Sequence, residues 1–309
     1  MRLLVVVPAT PSSAHREAIT AARGVGTPVA VTLGDPDLAA LAELGVSQAV
    51  ALDLGGRPQE PTLVADGVLA AVRQVEPDAV VLVSSFAGKA VAARLAVALR
   101  SAAIVDVTGL RVEGDRVIAS KTVLAGTWQT ECTVVERPAI LAMKPAAVRA
   151  VPAPVDGVEV TRLAVEPSPA AGALRRESRI ERPRSGRPAL DEARVVVAGG
   201  RGTDGDFTLV EELADLLGGA VGATRVATDE GWIDHSAQIG QTGTMISPTL
   251  YIGAGISGAV HHTAGMQAAQ TVVVINSDPE APLFEFADFG VVGDLHDVLR
   301  QAIDALRAR

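Results

Sequence analysis

The sequence predicts an α/β protein of two doubly wound α/β domains, the second a parallel-sheet domain of the dinucleotide-binding kind. Short apolar runs alternate with helix-patterned stretches on both sides of a middle segment rich in Pro and Arg. The apolar residues are small. Of 309 residues 48% are hydrophobic and only 3% aromatic, so Ala, Val, Leu and Gly must build the cores, which suits helices lying close on a sheet. Four glycine-bearing turns crowd residues 199–294: Gly199-Gly200-Arg201-Gly202, Gly240-Gln241-Thr242-Gly243, Gly253-Ala254-Gly255-Ile256-Ser257-Gly258, and the turn from Gly290 to Asp294. Such turns at the ends of parallel strands line up along one edge, where a large dinucleotide would lie.

Residues 3–7 read as the first strand. An apolar start also resembles a signal peptide, but this run is short and Pro8 breaks it. Helix and strand then alternate: helix over 15–23, strand 29–32, helix 38–44, strand 49–52, helix 62–74, strand 79–83, helix 88–99 and strand 104–107. From 109 to 143 the character changes. Runs at 110–112, 116–119, 133–135 and 139–143, separated by turns such as Glu113-Gly114-Asp115, predict short hairpin strands extending the sheet at one edge. Residues 152–188 read as a solvated linker with one strand at 157–163. Its stretch 175–187 carries six arginines, suited to lying against a partner protein or to binding phosphate. The α/β pattern then resumes: strand 195–198, helix 207–217, strand 249–252, helix 256–266, strand 271–275, strand 290–292 and an amphipathic closing helix over 295–306. The division expected is 1–165 for the first domain, 166–190 for the linker and 191–309 for the second domain.

Bulk properties narrow the function. A net charge of −9 argues against a nucleic-acid surface. No apolar run approaches the length that spans a membrane, so no membrane insertion is expected. Cys132 is the sole cysteine, which leaves no internal disulfide and points to a reducing, cytoplasmic setting. His261 and His262 are adjacent on a predicted helix and point about 100° apart, a poor metal pair. No Ser-His-Asp order supports a hydrolase.

The motifs each admit two readings. The run from Gly253 to Gly258 fits a dinucleotide fingerprint, with Asp278 where a ribose-binding acid would sit, and equally fits close strand–helix packing. Arg201 suits a phosphate or carboxylate, or a plain turn. Arg225, at a strand's carboxyl end, points into the ligand crevice or makes a surface ion pair. The loop of Gln238, Gly240, Gln241 and Thr242 offers amides and a hydroxyl to a heterocycle, as an ordinary polar loop also would.

In this order, however, the segments closely resemble the FAD domain of the electron transfer flavoprotein α-subunit family. The likeness runs through Val197-Ala198-Gly199-Gly200-Arg201-Gly202, Val221-Gly222-Ala223-Thr224-Arg225 and Gln238-Ile239-Gly240-Gln241-Thr242-Gly243. It continues in Leu250-Tyr251-Ile252-Gly253-Ala254-Gly255-Ile256-Ser257-Gly258-Ala259, His262-Thr263-Ala264-Gly265-Met266 and Asn276-Ser277-Asp278-Pro279-Glu280-Ala281-Pro282. It covers nearly all of residues 194–306. The first half is similar only in pattern, through Gly88-Lys89 and Ile104-Val105-Asp106-Val107.

The resemblance implies an electron carrier with no substrate turnover of its own. One FAD sits in the second domain, and the first domain contributes to the interface of a heterodimer with a β subunit. Electrons come from donor flavin dehydrogenases and pass to a quinone-linked acceptor. By the same resemblance Arg225 packs by the flavin ring, Thr242 approaches N5 with Gln241 as loop neighbour, and His262 approaches O2. Ser257 and Asn276 serve the pyrophosphate and ribityl side, Asp294 the adenosine end, and Arg201 lies close by. Thr224, Gln238, Gly240, Gly255, Gly258 and His261 complete the expected set. Two departures stand out: His261 replaces a common glutamine, and Thr224 a common serine. The alternatives are a nicotinamide-dependent oxidoreductase using the fingerprint from Gly253 to Gly258, and a subunit in which FAD is only structural.

Overall fold

Val-, Leu- and Ala-rich runs without polar interruption become strands covered on both faces in the computed structural model, which describes residues 1–57, 59–124, 128–145, 147–178 and 186–308. The described residues group into two compact units, dividing near residue 181. In the first, β1 (Arg2–Pro8), β2 (Thr27–Leu33), β3 (Gln48–Asp53) and β4 (Ala79–Val83) run parallel. The helices between them are α1 (Ser13–Val25), α2 (Leu38–Glu43) and α3 (Pro61–Val75), with α4 (Phe86–Leu99) following β4. Ala14, Ala18, Ile19 and Ala22 of α1 fall on one stripe and pack one face of the sheet. Val64, Val68 and Ala71 of α3, with Val91 and Leu95 of α4, cover the other.

The segment expected as edge hairpins is rearranged. β5 (Ala103–Glu113) fuses the runs at 104–107 and 110–112 into one strand of 11 residues, kinked at Asp106, whose φ is 59°. β6 (Arg116–Val123) and β7 (Trp128–Thr133) continue it as an antiparallel meander. The strand expected over 133–135 therefore ends where it was to begin. β8 (Ala139–Met143) is no edge strand: it lies between β5 and β4, parallel to both and buried throughout. Five apolar residues in a row suit a strand with two covered faces, and a hairpin strand would alternate. β9 (Glu159–Ala164) joins β3 in parallel at the opposite edge, giving the order β7-β6-β5-β8-β4-β1-β2-β3-β9.

The expected solvated linker is partly anchored. Ser168 caps the short helix α5 (Pro169–Gly172), its own amide donates to Asp66 at 2.8 Å, and Ala171 is buried. In the arginine-rich stretch, Arg176 pairs with Glu60 and Arg187 with Asp215. Residues 179–185 lie outside the described residues.

The second unit is a parallel sheet of β10 (Val195–Gly199), β11 (Ala220–Ala223), β12 (Leu250–Ala254), β13 (Thr271–Asn276) and β14 (Phe289–Val292), in the order β11-β10-β12-β13-β14. Its helices are α6 (Thr208–Leu216), α7 (Arg225–Asp229), α8 (Val260–Met266) and α9 (Leu295–Arg307). Leu295, Leu299 and Ile303 place the apolar stripe of α9 in the core shared with α6. The chain leaves β10 to one side for β11 and later returns to its other side for β12. This reversal opens a crevice beyond the carboxyl ends of β10 and β12, where doubly wound folds bind ligands. Among the described residues no helix is long and apolar enough to cross a membrane.

Candidate functional site

At the switch point the two strand-end loops are stitched together. Gly200 donates its amide to the Ala254 carbonyl at 3.1 Å, and Gly202 donates to that of Gly255 at 3.0 Å. The helix expected over 256–266 begins only at Val260. Gly255 at φ 63° and Gly258 at φ 94° turn the chain in a conformation that helices exclude. A loop over 255–259 thus replaces the expected helical start, and the short α8 behind it offers no long helix dipole to a pyrophosphate.

A cavity of about 580 Å³ opens there. It is lined by Arg201, Thr224, Arg225, Gln238, Gly240, Thr242, Gly255, Ser257, Gly258, His261, His262, Asn276 and Asp294. Of the residues expected to contact the cofactor, Gln241 alone does not line it. Its side chain meets His261 Nδ1 at 3.0 Å and its amide donates to the His261 carbonyl at the same distance, tying the 240–243 loop to α8.

Strand ends supply the polar groups. Just past β11, Thr224 is the N-cap residue of α7, and its Oγ1 is buried without a hydrogen-bond partner among the described residues. Arg225 opens α7, is largely exposed, and pairs with Asp229 at 3.1 Å. Arg201 lies in the 3-10 turn Arg201–Thr203 and makes no ion pair among the described residues. Two expected ligand residues also brace the backbone. Asn276 donates from Nδ2 to the Ile256 carbonyl at 2.9 Å and accepts the Asp278 amide at Oδ1, fixing the 255–259 loop to the end of β13. Asp294 is the N-cap of α9, accepting from His296 and Asp297 through Oδ1.

Deeper in, Tyr251 and His262 form a buried pair, with the hydroxyl 2.7 Å from Nε2. Burial pushes the tyrosine up and lowers His262 to about 4, against a weak opposing pull from the Ile239 carbonyl. A phenol that holds its proton donates to Nε2, so the neutral ring keeps its own proton on Nδ1. Nδ1 is buried and has no full hydrogen bond among the described residues. The site therefore contains two unsatisfied buried polar atoms, Thr224 Oγ1 and His262 Nδ1, on residues that line one cavity. Two further such atoms, Gln267 Nε2 and His296 Nδ1, lie on residues outside that lining, so what sets the first pair apart is the cavity they share, whose donors fit a large polar heterocycle with phosphates. Sequence reasoning passed over two residues here, Tyr251 and the buried Thr228 behind Gln238. The signal for Tyr251 was available: it is the sole tyrosine, set in an apolar strand beside a glycine fingerprint.

The first unit has a cavity of similar size, about 590 Å³, at the ends of β2, β3 and β9. Asp35 and Arg162 of its lining pair with each other, and among the described residues no orphaned buried polar atom lies in that lining.

Comparison with known proteins gives a consistent result. Residues 5–168 match the family model described as the electron transfer flavoprotein domain, and residues 189–267 match the electron transfer flavoprotein FAD-binding domain. The electron transfer flavoprotein subunit alpha of Mycobacterium leprae (strain TN) is 41% identical over 302 residues, covering 95% of this chain and 93% of the relative. The subunit of the same name from Syntrophomonas wolfei is 36% identical over 78% of this chain and 76% of its own length. The mitochondrial one from Dictyostelium discoideum is 51% identical over 40% of this chain and 36% of its own.

Proposed function

The chain belongs to the electron transfer flavoprotein α-subunit family, and from that premise we propose that it holds one FAD in the cavity of its second unit. We further propose that it works as a cytoplasmic carrier in a heterodimer with a β subunit. It takes electrons from donor flavin dehydrogenases, delivers them to a quinone-linked acceptor, and turns over no substrate of its own. The observation that carries this reading is the pair of unsatisfied buried atoms, Thr224 Oγ1 and His262 Nδ1, on one switch-point cavity.

FAD supplies reversible one-electron chemistry when bound. The chain's residues bind and tune it. Arg225 brings a fixed positive charge to the rim, favouring electron density on a ring held there. His262, neutral and pinned by Tyr251, offers a donor that leaves net charge unchanged. Asp294 has Oδ2 free for a ligand hydroxyl while Oδ1 caps α9. Arg201, without an ion pair among the described residues, is available to phosphate.

The test is co-expression with a β subunit, then flavin quantification and stepwise reduction. A yellow heterodimer with one FAD and an intermediate one-electron state supports the carrier. A colourless protein that binds NAD replaces it with a nicotinamide-dependent oxidoreductase. A bound flavin that resists reduction makes the cofactor structural.

A further inference from the structure

Behind the cavity wall lies a hydrogen-bonded chain of three side chains. Thr228 on α7 is 3% exposed and Gln238 6% exposed. The Thr228 hydroxyl is 3.1 Å from Gln238 Oε1, and Gln238 Nε2 is 2.9 Å from Thr242 Oγ1. Gln238 and Thr242 line the cavity and Thr228 does not. Thr228 has a second acceptor in reach, the Arg225 carbonyl at 2.9 Å.

A threonine hydroxyl carries one proton, so Thr228 serves one acceptor at a time. When it donates to Gln238 Oε1, the amide donates to Thr242, and the Thr242 proton is free to point into the cavity. When it donates to the Arg225 carbonyl, the amide turns over and donates back to Thr228 Oγ1. Gln238 Oε1 then takes the Thr242 proton, and Thr242 presents only its oxygen to the cavity. The two states differ by rotations alone, with no bond broken and no charge moved.

We propose that Thr228 is a positioning residue that sets, through Gln238, whether Thr242 donates to or accepts from the redox ring. The proposal rests on the reading that the cavity holds FAD with its ring against Thr242. An oxidised isoalloxazine edge offers ring-nitrogen acceptors, whereas the fully reduced edge carries an N–H. A chain of reversible polarity presents a matched partner to each form, and a fixed donor would oppose the reduced one.

The test is Thr228→Val in the FAD-loaded complex with the β subunit, read by spectroelectrochemical titration. Valine keeps the shape and removes the hydroxyl. The Arg225 carbonyl, which lay 2.9 Å from the lost hydroxyl, then attracts the NH2 end of the amide across the gap, so Gln238 Oε1 takes the Thr242 proton and the cavity loses a donor. The one-electron-reduced ring carries more electron density at that edge than the oxidised ring and loses more with the donor, so the expected result is a lower potential for the first electron at full FAD occupancy, comparable to the fall in Thr242→Val. Thr228→Ser restores the wild-type value. If the valine variant does not hold FAD, Thr228→Ala is read instead, with the same fall expected. Wild-type potentials in Thr228→Val alongside a shifted Thr242→Val overturn the relay alone. A Thr228→Ser value equal to that of the valine variant also overturns it, since packing would then be the cause. An unshifted Thr242→Val at full occupancy overturns the placement of the ring, and the relay with it.

Discussion

Arg225 stands at the cavity rim with its side chain 66% exposed and its guanidinium 3.1 Å from Asp229. On the proposed placement its charge would act on the ring through partly screened space, which sets the size of the effect. A charge-assisted contact is worth roughly 1.5–3 kcal/mol, and screening at an exposed site favours the lower end. Arg225→Ala should lower the first reduction potential by about 65 mV, the one-electron equivalent of about 1.5 kcal/mol. Arg225→Lys should recover part of this, since charge survives without the planar fork. Unchanged potentials at full FAD would make the Asp229 pair the whole role of Arg225. His262 gives a prediction of a different kind. Its pKa, lowered by burial from 6.5 to about 4, means the folded chain refuses a proton that the unfolded chain accepts. Stability should therefore be fully present above pH 6.5 and fall as pH drops toward 4, by about 3 kcal/mol, then level off. Part-buried His15, also lowered to about 4, adds a slope of the same sign in the first unit. Urea-unfolding midpoints of wild type and His262→Gln across that window check the assignment: the variant should show the shallower dependence.

At the scale of elements, Asp294 caps a helix and, on the proposed reading, also meets the ligand. It was expected to act on the adenosine end alone, but its Oδ1 also holds the first turn of α9, whose Leu299 and Ile303 fill the core. Asp294→Ala should thus weaken FAD retention and also destabilise the apo chain by about 1 kcal/mol. Asp294→Asn keeps a good cap and should lose only the retention. Thermal unfolding of both apo variants, set beside their flavin content, separates the two roles; equal melting would show that the cap contributes nothing. In neither variant should the potential of retained flavin move. The same elements show how far the sequence could be read. The parallel strands were legible because Val-, Leu- and Ala-rich runs have few other homes, and the polar loops of the site were legible because glycines mark the strand ends. The place of β8 was not, because a five-residue apolar run says that both faces are covered and nothing about which neighbours cover them. The late start of α8 escaped because the residues over 256–266 are compatible with helix, and only the left-handed turns at Gly255 and Gly258 defer it. The Thr228–Gln238–Thr242 chain escaped for a simpler reason: a hydrogen bond across ten residues of irregular chain leaves no periodic trace.

At the scale of the whole molecule, large apolar side chains stand exposed on both units. Phe86 is 92% exposed at the start of α4, and Val97 on the same helix is also exposed. Trp128 stands out from the edge strand β7, and Phe289 and Val292 from the edge strand β14. Val226 of the cavity lining, and Met245 and Val260 close in sequence to other lining residues, present apolar side chains to water. Monomers scatter single apolar residues over their surfaces, but large aliphatic and aromatic groups on edge strands and around a cofactor cavity belong to interfaces. The 309-residue chain expressed alone should therefore be poorly soluble or low in flavin. Co-expressed with a β subunit, it should elute as a one-to-one heterodimer with one FAD. Phe86→Ser and Val260→Ser test whether these residues lie under the partner. Each should improve the behaviour of the lone chain and reduce co-purification of the β subunit. A well-behaved monomer with full FAD, or wild-type co-purification by both variants, would mean that these side chains are ordinary surface and that the cavity retains its cofactor without a partner's help.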